Sequence, residues 1–262
     1  MAVDWQRCSW KSMSWRIVKV PVESETERLT CSTEMMTGSL MGWMLARRKS
    51  RRVALAHCSL LALAALAFDQ SSAATTGPRT LLVLGDSLSA EYGLARGSGW
   101  VALLEQRLAQ DKIPATVVNA SVSGDTTSGG RSRLPALLKQ IQPSHVLIEL
   151  GGNDALRGLP LQMTKDNLAT MARQAKAAGA RVMIVGMQLP PNYGARYGQE
   201  FSQLFAQVAH DSGAALVPFL LAGVADSPQA DRLFQPDRIH PTAEAHPRML
   251  ANVWAVMKPW LR

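Results

Sequence analysis

Between residues 80 and 257, five short apolar runs alternate with stretches of helical periodicity, and this alternation restricts the fold more than any other feature. The runs fall near 80–84, 115–120, 145–150, 181–187 and 214–217; the helical patterns fall near 98–111, 131–141, 161–178, 196–211 and 241–257. Leu81-Leu82-Val83-Leu84 and Val146-Leu147-Ile148 are apolar at consecutive positions, so both faces of those strands need cover. Strand and helix in strict alternation give a parallel sheet between two helical layers. The expected architecture is α/β: a three-layer α/β/α sandwich, flavodoxin-like, around a parallel five-stranded sheet.

The first apolar run stops abruptly at Gly85-Asp86-Ser87-Leu88. A serine at such a strand end, where the chain is expected to turn into a helix, presents its hydroxyl to solvent and points nearby N–H groups at whatever the hydroxyl attacks. The turn differs from the G-x-S-x-G elbow, because Ser89 stands where the second glycine would be. A second signature, Asp237-Arg238-Ile239-His240-Pro241, lies near the other end. Together they supply a nucleophile (Ser87), a general base (His240) and an acid that orients the imidazole (Asp237). Proline after His240 disfavours helical geometry at the histidine and suits the first turn of a helix, so a helix is expected from Thr242.

Two further strand ends supply donors. The run ending at Ala120 leads into Ser121-Val122-Ser123-Gly124, and the run ending at Leu150 leads into Gly151-Gly152-Asn153-Asp154. Parallel sheets bind ligands beyond the carboxyl ends of their strands. The N–H groups of Ser87 and Gly124 and the side-chain amide of Asn153 are therefore the candidate oxyanion donors. Asp86 and Asp154 are read as caps of backbone N–H groups rather than as acids. Leu161, Met187, Leu189, Pro190, Pro191 and Tyr193 either line an acyl groove or belong to core and loop. His145, His210 and His246 are explained by packing, capping or exposure, and no metal-ligand spacing appears, so no metal and no cofactor are expected.

These blocks, with Arg133-Leu134-Pro135, Leu156-Arg157-Gly158 and Pro191-Asn192-Tyr193-Gly194, resemble the GDSL, or SGNH, hydrolases over about residues 79 to 259. Within them the similarity is to the bacterial esterases with thioesterase, protease and lysophospholipase activities, often called arylesterases. The resemblance implies hydrolysis of carboxylic esters and thioesters through an acyl-enzyme on Ser87. It puts Gly124 and Asn153 in the oxyanion hole and Asp237 and His240 in the triad; it assigns no substrate-binding residues, for which Leu156, Pro191 and Tyr193 are the candidates. A carbohydrate O-deacetylase of the same fold is the alternative; a non-catalytic flavodoxin-like binding module is a second. Three positions depart from the pattern: Glu91, where a small residue is usual, Arg238, where glycine is common, and His246, where glutamine is frequent.

The first 74 residues read differently. A basic run, Arg47-Arg48-Lys49-Ser50-Arg51-Arg52, precedes an apolar stretch from Val53 to Phe68 and the small residues Ser71-Ser72-Ala73-Ala74. This is the layout of an export signal, and its apolar part is short for a span needing ~20 residues. Residues 1–74 are accordingly expected to be a leader, with an upstream extension before the signal, and 75–262 the hydrolase domain. The product is expected to be periplasmic or secreted, monomeric and not held in a membrane once the signal is gone. The Ser50-Arg51-Arg52-Val53-Ala54-Leu55 stretch also fits a twin-arginine signal.

The net charge of +8 divides evenly at this boundary: residues 1–74 carry ten basic against six acidic side chains, and 75–262 carry eighteen against fourteen. The domain's excess is scattered over helical patterns, for instance Arg131, Arg133 and Lys139, which reads as solvated surface and not as a nucleic-acid site. The expected partner is a small acyl ester or thioester. All three cysteines, at 8, 31 and 58, precede the domain, which therefore needs no disulfide.

Overall fold

The computed structural model describes residues 79–261; the expected leader, 1–74, lies outside them. Five strands form one sheet: β1 (Arg79–Gly85), β2 (Ala115–Asn119), β3 (His145–Glu149), β4 (Arg181–Val185) and β5 (Ala215–Val217). Their spatial order is β2-β1-β3-β4-β5 and every neighbouring pair is parallel. This is the flavodoxin-like order, and the chain reverses its direction of travel across the sheet between β1 and β3, where such folds open a crevice.

The helices are α1 (Trp100–Gln110), α2 (Thr127–Ile141), α3 (Gly152–Leu156), α4 (Leu161–Ala177), α5 (Ala195–Ser212), α6 (Ala230–Leu233) and α7 (His246–Trp260). One layer pairs α1 with α7; the other runs α2, α4, α5. The sheet's centre is fully covered, with Leu81 to Leu84, Val146 to Ile148, Met183 and Ile184 all 0% exposed. Burial of continuous apolar strands between two helical layers is the main stabilising contribution, at about 25 cal/mol per Å² of apolar surface removed from water. Edge strand β2 is only half-buried.

The five strands fall where the apolar runs predict, and the differences lie in the helices. No helix follows the nucleophile turn: residues 87–93 form successive turns, with Ser89 and Ala90 N–H bonded to the Asp86 carbonyl and Tyr92 N–H to the Ser87 carbonyl. Helix α2 begins four residues before the expected 131, because the Thr126 hydroxyl caps it by accepting from Gly129 N–H. Helix α7 begins at His246, not near Pro241. Residues 233–242 instead form a hairpin-like loop: Phe234 bridges Pro241, and Thr242 N–H donates to the Leu233 carbonyl at 2.8 Å. That ladder holds Pro241 extended, and Pro247 takes the first-turn position. Among the described residues no helix is long and apolar enough to cross a membrane.

Candidate active site

Parallel register decides which loops meet. Gly85 lies opposite Glu149 and Val83 opposite Asn119, so the exits of β2, β1 and β3 stand side by side and carry Gly124, Ser87 and Asn153 respectively. Gly85 is required for this: a Cβ there would come within 2.8 Å of both Glu149 Oε2 and Ser89 Oγ. Ser89, at the place of the missing elbow glycine, is buried and donates to Glu149 Oε2 at 2.7 Å. It anchors the turn from beneath.

The loop before α7 brings the second signature to Ser87. His240 Nε2 lies 2.8 Å from Ser87 Oγ, and His240 Nδ1 lies 2.7 Å from Asp237 Oδ2. The other carboxylate oxygen, Oδ1, accepts from the N–H groups of Ile239 and His240, each at 3.0 Å. Burial alone would raise the Asp237 carboxyl, but the His240 N–H, the imidazole and the Ile239 N–H outweigh it and hold it down to about 2. An ionised Asp237 fixes the tautomer with the proton on Nδ1, leaving Nε2 as the acceptor for the serine proton. The Tyr92 ring packs on the imidazole at 4.3 Å between centroids. Arg238, with φ 58, points outward, 3.6 Å from Asp231.

Across the turn, Asn153 in the first turn of α3 donates from Nδ2 to Asp86 Oδ2 at 3.0 Å. Asp86 Oδ1 accepts from Leu88 N–H at 3.0 Å, the cap expected of it. Burial pushes Asp86 up to about 6, against the Leu88 and Asn153 hydrogen bonds that lower it. Glu149 is pushed well above the ordinary carboxylate range by burial and then by the charge of Asp86. Asn153 keeps one amide hydrogen for a ligand. Among the described residues neither Ser87 N–H nor Gly124 N–H bonds to another protein group. Gly124 has φ +78, and its carbonyl accepts from Arg157 Nη2 at 2.8 Å.

Asp154 is wholly buried and caps α2 by accepting from Thr127 N–H at 2.8 Å; the Thr127 and Thr164 hydroxyls also bond to it. The remaining candidates divide. Leu156, the last residue of α3, and Pro191 and Tyr193, in a single 3-10 turn after β4, are exposed at this edge, and none takes part in the hydrogen bonds of the site. Met187 is core. His145 is buried with Nδ1 2.8 Å from Ser144 Oγ, and burial lowers it to about 4, as does the positive charge of Arg181. His246 is buried with Nδ1 accepting from Trp100 N–H at 2.9 Å, capping α1, so its departure from glutamine keeps an acceptor. The Glu91 carboxylate turns away from Ser87 to accept from Gly97 and Gly99 N–H groups.

Two braces escape sequence reading. Arg133, expected on a solvated helix face, instead bonds to Asp125 Oδ2 at 2.8 Å, to the Ala120 carbonyl and to the Gly85 carbonyl at 3.3 Å, tying the ends of β1 and β2 together. Gln235 spans the nucleophile turn and the histidine loop. Arg133 lies in one of the blocks that carry the resemblance, but nothing in that block names its partners, and Gln235 lies in none of those blocks.

A serine, an imidazole and a carboxylate in hydrogen-bonded series, beside two unpaired N–H groups and a side-chain amide at the carboxyl edge of a parallel sheet, define a serine hydrolase geometry. The GDSL-like Lipase/Acylhydrolase family model matches residues 83–248; the chain belongs to that family. It is 51% identical over 199 residues to Esterase TesA of Pseudomonas aeruginosa, covering 76% of this chain and 96% of the relative. It is 44% identical over 191 residues to Thioesterase 1/protease 1/lysophospholipase L1 of Escherichia coli K12, covering 73% and 86%. A crystal structure of TesA superposes with a TM-score of 0.67 at 52% identity, covering 70% of this chain and all of that one.

Proposed function

We propose that this protein is an exported serine esterase that hydrolyses carboxylic esters and thioesters through an acyl-enzyme on Ser87. The observation that carries this reading is the Ser87–His240–Asp237 series, with separations of 2.8 and 2.7 Å. Ser87 Oγ attacks the acyl carbon while His240 Nε2 takes its proton. The carbonyl oxygen becomes an oxyanion facing Ser87 N–H, Gly124 N–H and Asn153 Nδ2. Collapse breaks the bond to the alcohol or thiol, which leaves with the proton from His240 Nε2. Water, deprotonated by the same nitrogen, then adds to the acyl carbon and releases the acid and free Ser87. The imidazolium formed in each half is stabilised by ionised Asp237.

The names of the relatives, an esterase and a thioesterase with lysophospholipase activity, support small acyl substrates, and exposed Leu156, Pro191 and Tyr193 are the proposed contacts for the acyl or leaving group. The test is labelling by a fluorophosphonate, followed by hydrolysis of p-nitrophenyl esters, acyl-CoAs, lysophospholipids and acetylated sugars. Labelling at Ser87 that is lost in Ser87→Ala, with turnover of esters and thioesters, is the expected result. Ser87→Ala should unfold at the parental temperature while activity falls by several orders of magnitude. An unlabelled parent would mean a binding module, and turnover confined to acetylated sugars would mean a deacetylase.

A further inference from the structure

We propose that Gln235 is a positioning residue of the reaction: it holds the histidine loop against the nucleophile turn and so sets the Ser87–His240 approach. The inference rests on the hydrolase reading above. Three carbonyl groups accept from this one residue. Its Nε2 donates to the Tyr92 carbonyl at 3.0 Å and to the Pro241 carbonyl at 3.1 Å, and its backbone N–H donates to the His240 carbonyl at 2.8 Å. Two carbonyl partners fix the amide orientation, because only the NH₂ end can serve both. Tyr92 N–H in turn donates to the Ser87 carbonyl at 3.3 Å, and the Tyr92 ring lies on the His240 ring. Gln235 therefore closes a circuit that leaves the serine through Tyr92 and returns to the histidine through its own backbone and Pro241.

The nucleophile turn is shaped to receive this side chain. Gly93 has φ +70, and a Cβ there would fall 2.2 Å from Gln235 Oε1. Gln235 is half-buried, whereas Asp237, Arg238 and Ile239 beyond it are exposed. Beside the His240–Ser87 contact itself, the side-chain bridge from Gln235 ties this exposed loop, from its base, to the turn after the first strand. Errors of about 1 Å between reacting groups cost on the order of 100-fold in rate, so a link setting this distance is legible in turnover.

Gln235→Met keeps length and loses both donors; Gln235→Glu keeps shape but sets carboxylate oxygens against two carbonyl oxygens. Both variants of the full chain are titrated with a fluorophosphonate to count competent sites, then assayed for kcat, KM and thermal unfolding. The expected result is a kcat per competent site lowered roughly 10- to 100-fold in Gln235→Met, lower still in Gln235→Glu, with KM near the parental value. A merely structural role would lower the unfolding temperature or the number of competent sites while sparing kcat per site, and that result overturns the proposal. Equal kcat in Met and Glu variants would also overturn it, since the carboxylate must be worse. Failure of the parent to react with the fluorophosphonate would sink the hydrolase reading, and this inference with it; parental labelling with unaffected variants sinks this inference alone.

Discussion

Asp86 and Glu149 are buried one after the other beneath the nucleophile turn, with Asp86 N–H donating to Glu149 Oε2 at 3.3 Å. Two carboxylates so close, away from water, resist ionising together. Asp86 is raised from 3.8 to about 6 and Glu149 is raised as well. For acids raised in the folded state, the stability they contribute is present below the unfolded pKa and is lost as pH rises through the folded one. Glu149→Gln retains an oxygen to accept from Ser89 and removes the repulsion. It should match the parent's unfolding temperature at about pH 4 and exceed it at about pH 8, by roughly 2–4 °C for each kcal/mol relieved. Buried His145 and His246, both held down to about 4, lose stability as pH falls from 6.5, and that contribution cancels in the comparison. An equal shift at both pH values would disprove the charge argument. Asn153, the partner of Asp86, makes a second prediction: Asn153→Ala should lower kcat roughly 100- to 1,000-fold, the usual cost of one oxyanion donor, with KM little changed. A change in KM alone would remove Asn153 from the oxyanion hole.

Among the elements, α2 depends on a group outside itself. Its first N–H, from Thr127, is bonded to buried Asp154 of α3, and the Thr127 hydroxyl receives Asn167 of α4 at 3.1 Å. Asp154→Ala leaves the Thr127 N–H and the Thr127 and Thr164 hydroxyls without this acceptor, each unsatisfied donor costing about 1–3 kcal/mol. A lowered urea midpoint with an unchanged slope should report this; a parental midpoint would show that water replaces the carboxylate. This network also marks the limit of sequence reading. All five strands were legible because apolar residues run on at consecutive positions, and Ser87, Asp237 and His240 because each lies in a short local signature. The local cap of Asp86 was legible for the same reason, whereas Asp154 caps Thr127, 27 positions away, and its own neighbours in sequence do not name that partner. Helix α3 was not: five residues are too few to display a period, and Gly151, at φ 123, hides its start. The beginning of α7 was misplaced because a bridge between Phe234 and Pro241 overrode the helical preference of the residues after proline. The bracing by Arg133 and Gln235 was missed because backbone carbonyl partners leave no trace in side-chain spelling, and the one side-chain partner, Asp125 of Arg133, lies eight positions away across the start of α2.

The whole molecule raises the matter of its first 74 residues. Expressed from Met41 in a Gram-negative host, the protein should reach the periplasm with a new amino terminus at Ala74 or Thr75, read by amino-terminal sequencing. A product retained in the membrane unprocessed would mean that Val53–Phe68 is an anchor. Begun at Thr75, the chain should remain cytoplasmic and hydrolyse esters fully, because it contains no cysteine to pair; an inactive product would assign the leader to the fold. The separation of Ser87 and His240, 153 positions apart, has a consequence in time. A growing chain presents its serine on the first strand and completes the base only near its end, so the emerging protein carries an unarmed hydroxyl for most of its synthesis. Catalytic competence is thus a signal of completion: on refolding, ester turnover should appear no earlier than the docking of the last helix, later than or together with the recovery of helical structure.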